Sequence, residues 1–148
     1  MSRSLLCTRF PLKLVQILLA VSLCFAFTNG ANASTHWANL AESIAVSVQA
    51  AQKAHQKGDT QSAKRAVVEA YFGIFEGAKM EAAMRITRGA KYTYKVERLF
   101  GKLRKLVASD ASKDEISDLA TSLIEVIRQD ALLLDAAEIP PEVFKVNQ

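Results

Sequence analysis

From Trp37 to Leu134 the apolar residues recur at three- and four-residue intervals, and no stretch sustains the apolar–polar alternation of a half-buried strand. That spacing restricts the segment to α-helices, each with one apolar stripe to bury. Six glycines and three prolines leave few places to interrupt them. With half of the residues apolar and 23% charged, disordered, collagen-like and low-complexity classes are excluded as well.

The spacing predicts four helices. Helix one runs from about Trp37 to Lys57, with Trp37, Ala41, Ile44, Val48, Ala51 and His55 in its seam. Gly58 ends it, and Asp59 or Thr60 caps the next. Helix two covers about Gln61 to Thr87 through Ala63, Val67, Ala70, Ile74, Ala78 and Glu81, and Arg88-Gly89 closes it. Its glycines, Gly73 and Gly77, mark where a kink or early break is expected. Helix three covers Lys91 to Ala108 and packs Tyr92, Val96, Leu99, Phe100, Leu103, Leu106 and Val107. Ser112 and Glu115 form a capping box, and helix four follows to about Ala137 through Ile116, Leu119, Ala120, Leu123, Ile127, Ala131 and Leu134. Pro140-Pro141 stops it. Loops this short make successive helices antiparallel neighbours, so the expected fold is an all-α, up-down-up-down four-helix bundle in a single domain, residues 34–148.

Residues 1–33 read as a secretory signal peptide. Arg3, Arg9 and Lys13 precede an apolar run from Leu14 to Phe27, and Ala31-Asn32-Ala33 supplies an A-x-A cleavage site before Ser34. An uncleaved membrane anchor is the competing reading. Leu23 before Cys24, where a small residue is needed, argues against a lipoprotein. The whole chain carries +4, a balance that by itself suggests nucleic acid. The leader, however, holds three of the 19 basic residues and none of the 15 acidic ones, so the remaining 115 residues carry only +1. Nucleic acid is therefore not an expected partner. Cys7 and Cys24 both lie in the leader, which leaves the exported domain without disulfides, thiolate metal sites, a Cys nucleophile or covalently attached haem. The expected location is the bacterial periplasm, with no membrane span after cleavage.

Few residues carry chemistry. Lys91, Lys95, Arg98, Lys102 and Lys105 fall within roughly a third of the circumference of helix three at about 100° per residue. The plainer account is a solvated face, because few aromatics interleave there; the functional account is attachment to anionic lipid, phosphate or an acidic partner. Met80 and Met84, one turn apart, read as core filler. His55 ends a seam and reads as a partly buried or capping histidine. No catalytic triad, phosphate loop or nucleophile elbow can be placed, and an enzyme is not expected.

Glu81 continues an apolar seam, where a carboxylate is costly unless paired or bound. Counting from the Arg88-Gly89 turn brings Glu97 to the same height, and counting from Gly58 brings His36 or Trp37 to that end of the bundle. A kink at Gly77 turns Glu76 inward. Glu76, Glu81, Glu97 and His36 are thus the candidate ligands of a hard cation or iron. The bland account pairs Glu81 with Arg85 and Glu97 with Arg104. The Glu-x-x-His pairs of ferritin-like di-iron proteins are missing, which argues against oxidase chemistry. Haem is not expected, since no spacing supports His36 or His55 with Met80 or Met84.

Tyr71-Phe72, Phe75-Glu76 and Met80-Glu81, followed by Glu97-x-x-Phe100-x-x-Leu103-Arg104, resemble the exported N-terminal helical region of some bacterial iron permeases of the high-affinity iron/lead transporter family. The similarity spans about 40 residues. The family's membrane segments and Arg-Glu-Gly-Leu-Glu type motifs are absent, so the chain is not expected to be the channel. What the resemblance implies is a detached extracytoplasmic domain that binds iron or docks to a membrane iron permease, with Glu76, Glu81 and Glu97 as ligands. The resulting expectation is a periplasmic bundle that assists iron uptake by carboxylate binding. The competing expectation is an envelope adaptor without metal, whose basic stripe meets a partner protein or lipid head groups. Oligomeric state is left open. Glu81 separates the two: pairing with Arg85 favours the adaptor, and carboxylates converging without a basic partner favour metal.

Overall fold

The computed structural model describes residues 35–109 and 111–141. The leader and its Ala31-Asn32-Ala33 site lie outside those residues. The described residues contain helices and no strand. In chain order they are α1 (His36–Gln56), α2 (Thr60–Val68), a π-helical segment (Glu69–Glu76), α3 (Met80–Arg88), α4 (Ala90–Leu106) and α5 (Lys113–Ala136). None of these helices is long and apolar enough to cross a membrane.

The helix ends follow local chemistry. Gly58, at φ 77°, leaves α1 in the left-handed conformation, and Asp59 caps α2 by accepting from the Ser62 amide at 2.9 Å. Ser112 caps α5 by accepting from the Glu115 amide at 3.1 Å. The Nε2 atom of His55 lies 3.3 Å from the Ala111 carbonyl oxygen, which ties the end of α1 to the approach to α5.

The expected second helix is three pieces. The backbone widens over Glu69–Glu76 and closes with the Gly77 amide donating to the Phe72 carbonyl, five residues back, at 3.1 Å. A Cβ at Gly77 would collide with the Gly73 carbonyl oxygen, so this closure requires glycine. Lys79 then takes φ 68° and the chain restarts as α3. The break falls where Gly73 and Gly77 indicated, and it changes the register. Val67 and Ala70 are buried as the spacing predicts, but the next buried positions are Phe75, Met80, Ala83 and Met84. Ile74 and Ala78 are only partly buried, and Glu81 leaves the inward seam.

α1 packs along α5 on one side and against α2 and the π-helical segment on the other, while α4 packs against α3, α5 and α2. The interior is filled by Trp37, Phe75 and Phe100 among Ile, Leu, Val, Met and Ala side chains. Phe75 and Phe100 meet with ring centroids 5.1 Å apart, and Tyr71 lies over both at 6.0 and 5.3 Å.

Candidate functional site

Two of the four sequence-derived residues are joined through one arginine. Glu81, in the first turn of α3, and Glu97, midway along α4, flank the α3–α4 interface with side chains 20% and 16% exposed. Arg85, one turn beyond Glu81, spans them. Its Nε pairs with Oε1 of Glu81, and a terminal guanidinium nitrogen donates to Oε1 of Glu97 at 3.1 Å. Burial pushes the Glu81 carboxyl above its ordinary range; Arg85 opposes this, and the neighbouring Glu97 and Glu76 reinforce it.

Glu76 belongs to the same neighbourhood through Tyr71. Burial raises the pKa of the Tyr71 hydroxyl, and Glu76, Glu97 and Glu81 add to the shift because each disfavours a phenolate. His36 does not share these contacts. It is exposed in the first turn of α1, with its ring edge-on to Trp37 at 4.9 Å between centroids. Trp37 takes the inward position instead, its indole N–H donating to the Ile139 carbonyl at 2.7 Å.

The chemical consequence turns on Arg85. A guanidinium in contact with both carboxylates supplies the positive charge that a cation would otherwise bring, and its planar donors suit carboxylate oxygens. Among the described residues, no group of three or more His, Cys, Asp or Glu side chains is arranged to hold a metal ion. Glu97 pairs with Arg85, rather than with the Arg104 offered by the sequence.

The sequence reading overlooked a second polar cluster. Asp130 is buried on α5, accepts from the Tyr92 hydroxyl at 2.9 Å and faces Nε of Arg88 at 3.4 Å. Arg88 in turn stacks over the Tyr92 ring at 4.3 Å. Burial raises the Asp130 pKa, with Tyr92 and Arg88 opposing. The signal was present: Asp130 stands three residues after Ile127 and four before Leu134, on the seam itself.

The cationic stripe of helix three is preserved on α4, where Lys91, Lys95, Arg98, Lys102 and Lys105 are all exposed. Among the described residues, the ion pairs engage Arg85, Arg88 and Arg128 and none of these five. Tyr94, 59% exposed, stands at the edge of the stripe.

No protein-family model matches this chain, and no curated protein or solved structure matches it either. The likeness to the iron-permease domain therefore rests on the residues quoted above.

Proposed function

We propose that this protein is a helical adaptor that attaches to an anionic lipid surface through the cationic face of α4. The observation that carries the reading is the row of five exposed cations, none of them in an ion pair among the described residues. From Lys91 to Lys105 the row extends about 21 Å at about 1.5 Å per residue, along a helix ridge suited to a flat surface. Four of the five are lysines, whose compact, mobile charges suit diffuse head groups better than bidentate pairing. Tyr94 beside them supplies an amphipathic ring of the kind favoured at lipid–water boundaries.

Charge segregation supports the same orientation. α4 carries six basic residues and one acidic residue, whereas α5 carries two basic and six acidic residues, four of them outside the buried Asp130 and Asp135. In a nearly neutral domain this separation aligns one face with a negative surface. In this account α2, the π-helical segment and α3 act as one interrupted rod, giving four antiparallel rods with the cationic face of α4 turned outward. Arg85 favours the adaptor over an iron carrier, because it already bridges Glu81 and Glu97.

Sedimentation with phosphatidylglycerol-containing vesicles tests the proposal. The protein should bind them, release as salt rises and ignore pure phosphatidylcholine. Lys95→Glu with Lys102→Glu should lower binding by more than about tenfold. Absence of binding at low salt would overturn the lipid reading and direct the search to an acidic protein partner.

A further inference from the structure

Gly101 is a glycine that neither the backbone nor the packing of this fold requires. It lies within α4, is not among the residues with positive φ, and a Cβ built there would meet nothing within 4 Å. In a helix interior glycine costs about 0.5–1 kcal/mol relative to alanine. What its missing side chain leaves open is the α4 side of a cleft of about 200 Å³ between α4 and the end of α2 with the π-helical segment.

The cleft has an aromatic body and a charged rim. Phe72 and Tyr71 form one wall, Phe100 packs beneath Tyr71 at 5.3 Å between ring centroids, and Val68 stands at the lip. Phe72 and Val68 remain 51% and 40% exposed. The wall that carries both aromatic residues is the π-helical segment, a geometry that recurs at functional sites. Two charged residues line the cleft, seven residues apart on α4. Glu97 is bound to Arg85, whereas Arg104 enters no ion pair among the described residues. Arg85 is shared between Glu97 and Glu81, so Arg104 is the charged group on the cleft that is left to receive an anion.

We infer that this cleft binds a small organic carboxylate with an aromatic or similarly compact apolar body, its ring against Tyr71, Phe72 and Val68 and its carboxylate on Arg104. The volume is suitable, since an apolar cavity of about 150 Å³ accepts benzene. A guanidinium holds a carboxylate through two parallel hydrogen bonds. This site borders the lipid-facing stripe without coinciding with it: Gly101 and Arg104 also line the shallow groove of Lys95, Arg98, Lys102 and Lys105, whereas Tyr71 and Phe72 do not.

The test is titration with 3-phenylpropionate, followed by amide chemical shifts and by calorimetry. Saturable shifts centred on Tyr71, Phe72 and Gly101 are expected. Gly101→Leu should abolish them while leaving thermal stability unchanged or raised, which distinguishes a filled cleft from a damaged fold. Should Leu prove too large to fold, Arg104→Gln provides the second reading, a weakening of about tenfold. The neutral 3-phenylpropanol should bind more weakly than the acid. Absence of saturable shifts, or selection of phenethylamine over 3-phenylpropionate, would overturn the assignment. Lys95→Glu with Lys102→Glu should lower vesicle binding while the shifts at Tyr71 and Phe72 remain saturable, so failure of the lipid reading and failure of this one are read separately.

Discussion

Arg85 reaches from α3 to Glu97 on α4 at 3.1 Å while its Nε holds Glu81, so one guanidinium bridges two carboxylates that antiparallel helices bring to the same height. A metal ion entering between them would have to displace it. Titration of Fe(II), Mn(II) or Zn(II) into the protein is therefore expected to give no saturable heat, whereas Arg85→Gln should lower stability and allow weak divalent-cation binding. Saturable binding to the unaltered protein that is lost in Glu81→Gln with Glu97→Gln would restore the iron reading.

The start of α1 is capped from the far end of the domain. Asp135, near the end of α5, accepts from the backbone amides of Trp37 and Ala38 at 3.0 and 2.8 Å, satisfying two donors that a helix N-terminus leaves unpaired. Thr35, at the N-cap position, makes no side-chain capping bond. Asp135→Ala should cost about 1–3 kcal/mol in urea unfolding. Trp37 is the chain's one tryptophan, so its emission should shift to the red in the variant as the clasp loosens.

The break after the π-helical segment stores strain that substitution should relieve or worsen. Lys79 holds a left-handed φ of 68° that suits glycine. Lys79→Gly should gain about 0.5–1 kcal/mol. Gly77→Ala should lose about 1–3 kcal/mol, because its Cβ would meet the Gly73 carbonyl. Unfolding midpoints moving in opposite directions would bear out the geometry.

Asp130 gives a signed pH dependence. Burial raises its folded-state pKa above the ordinary carboxylate value, so the native state keeps a proton that the unfolded chain has lost. The contribution is full below the unfolded pKa and is lost as pH rises through the folded pKa. Glu81 acts in the same direction. Stability plotted from about pH 4 to pH 6 should therefore fall less steeply with pH, or rise more, in Asp130→Asn than in the parent. An identical slope would contradict the assignment.

The local signals in the sequence were sound where a single residue sufficed to terminate a helix. Gly58, Asp59, Ser112 and Gly89 mark real ends because each acts on backbone groups within a few residues. The expected long second helix failed for a tertiary reason. Ile74 and Phe75 are both apolar, and periodicity cannot tell which one the core will take; Phe75 packs on Phe100, and the backbone widens to place it there. From that point the expected seam of Ile74, Ala78 and Glu81 gives way to Phe75, Met80 and Met84. The common height of Glu81 and Glu97 was legible because antiparallel helices can be counted from their shared turn. Arg85 was legible only as a partner for Glu81, since its reach to Glu97 depends on the rotation of α4. The position of His36 was not legible, because Trp37 is drawn inward and Asp135 fixes the first turn.

The most direct test of the adaptor account asks which face meets the lipid. With Cys7→Ser and Cys24→Ser, an environment-sensitive fluorophore can be placed singly through Tyr94→Cys on α4 or Gln49→Cys on α1, both exposed positions. On addition of phosphatidylglycerol vesicles the label at position 94 should shift to the blue and that at 49 should not, with the shift reversed by salt. Equal responses at both positions, or a response at 49 alone, would contradict attachment through the cationic face of α4.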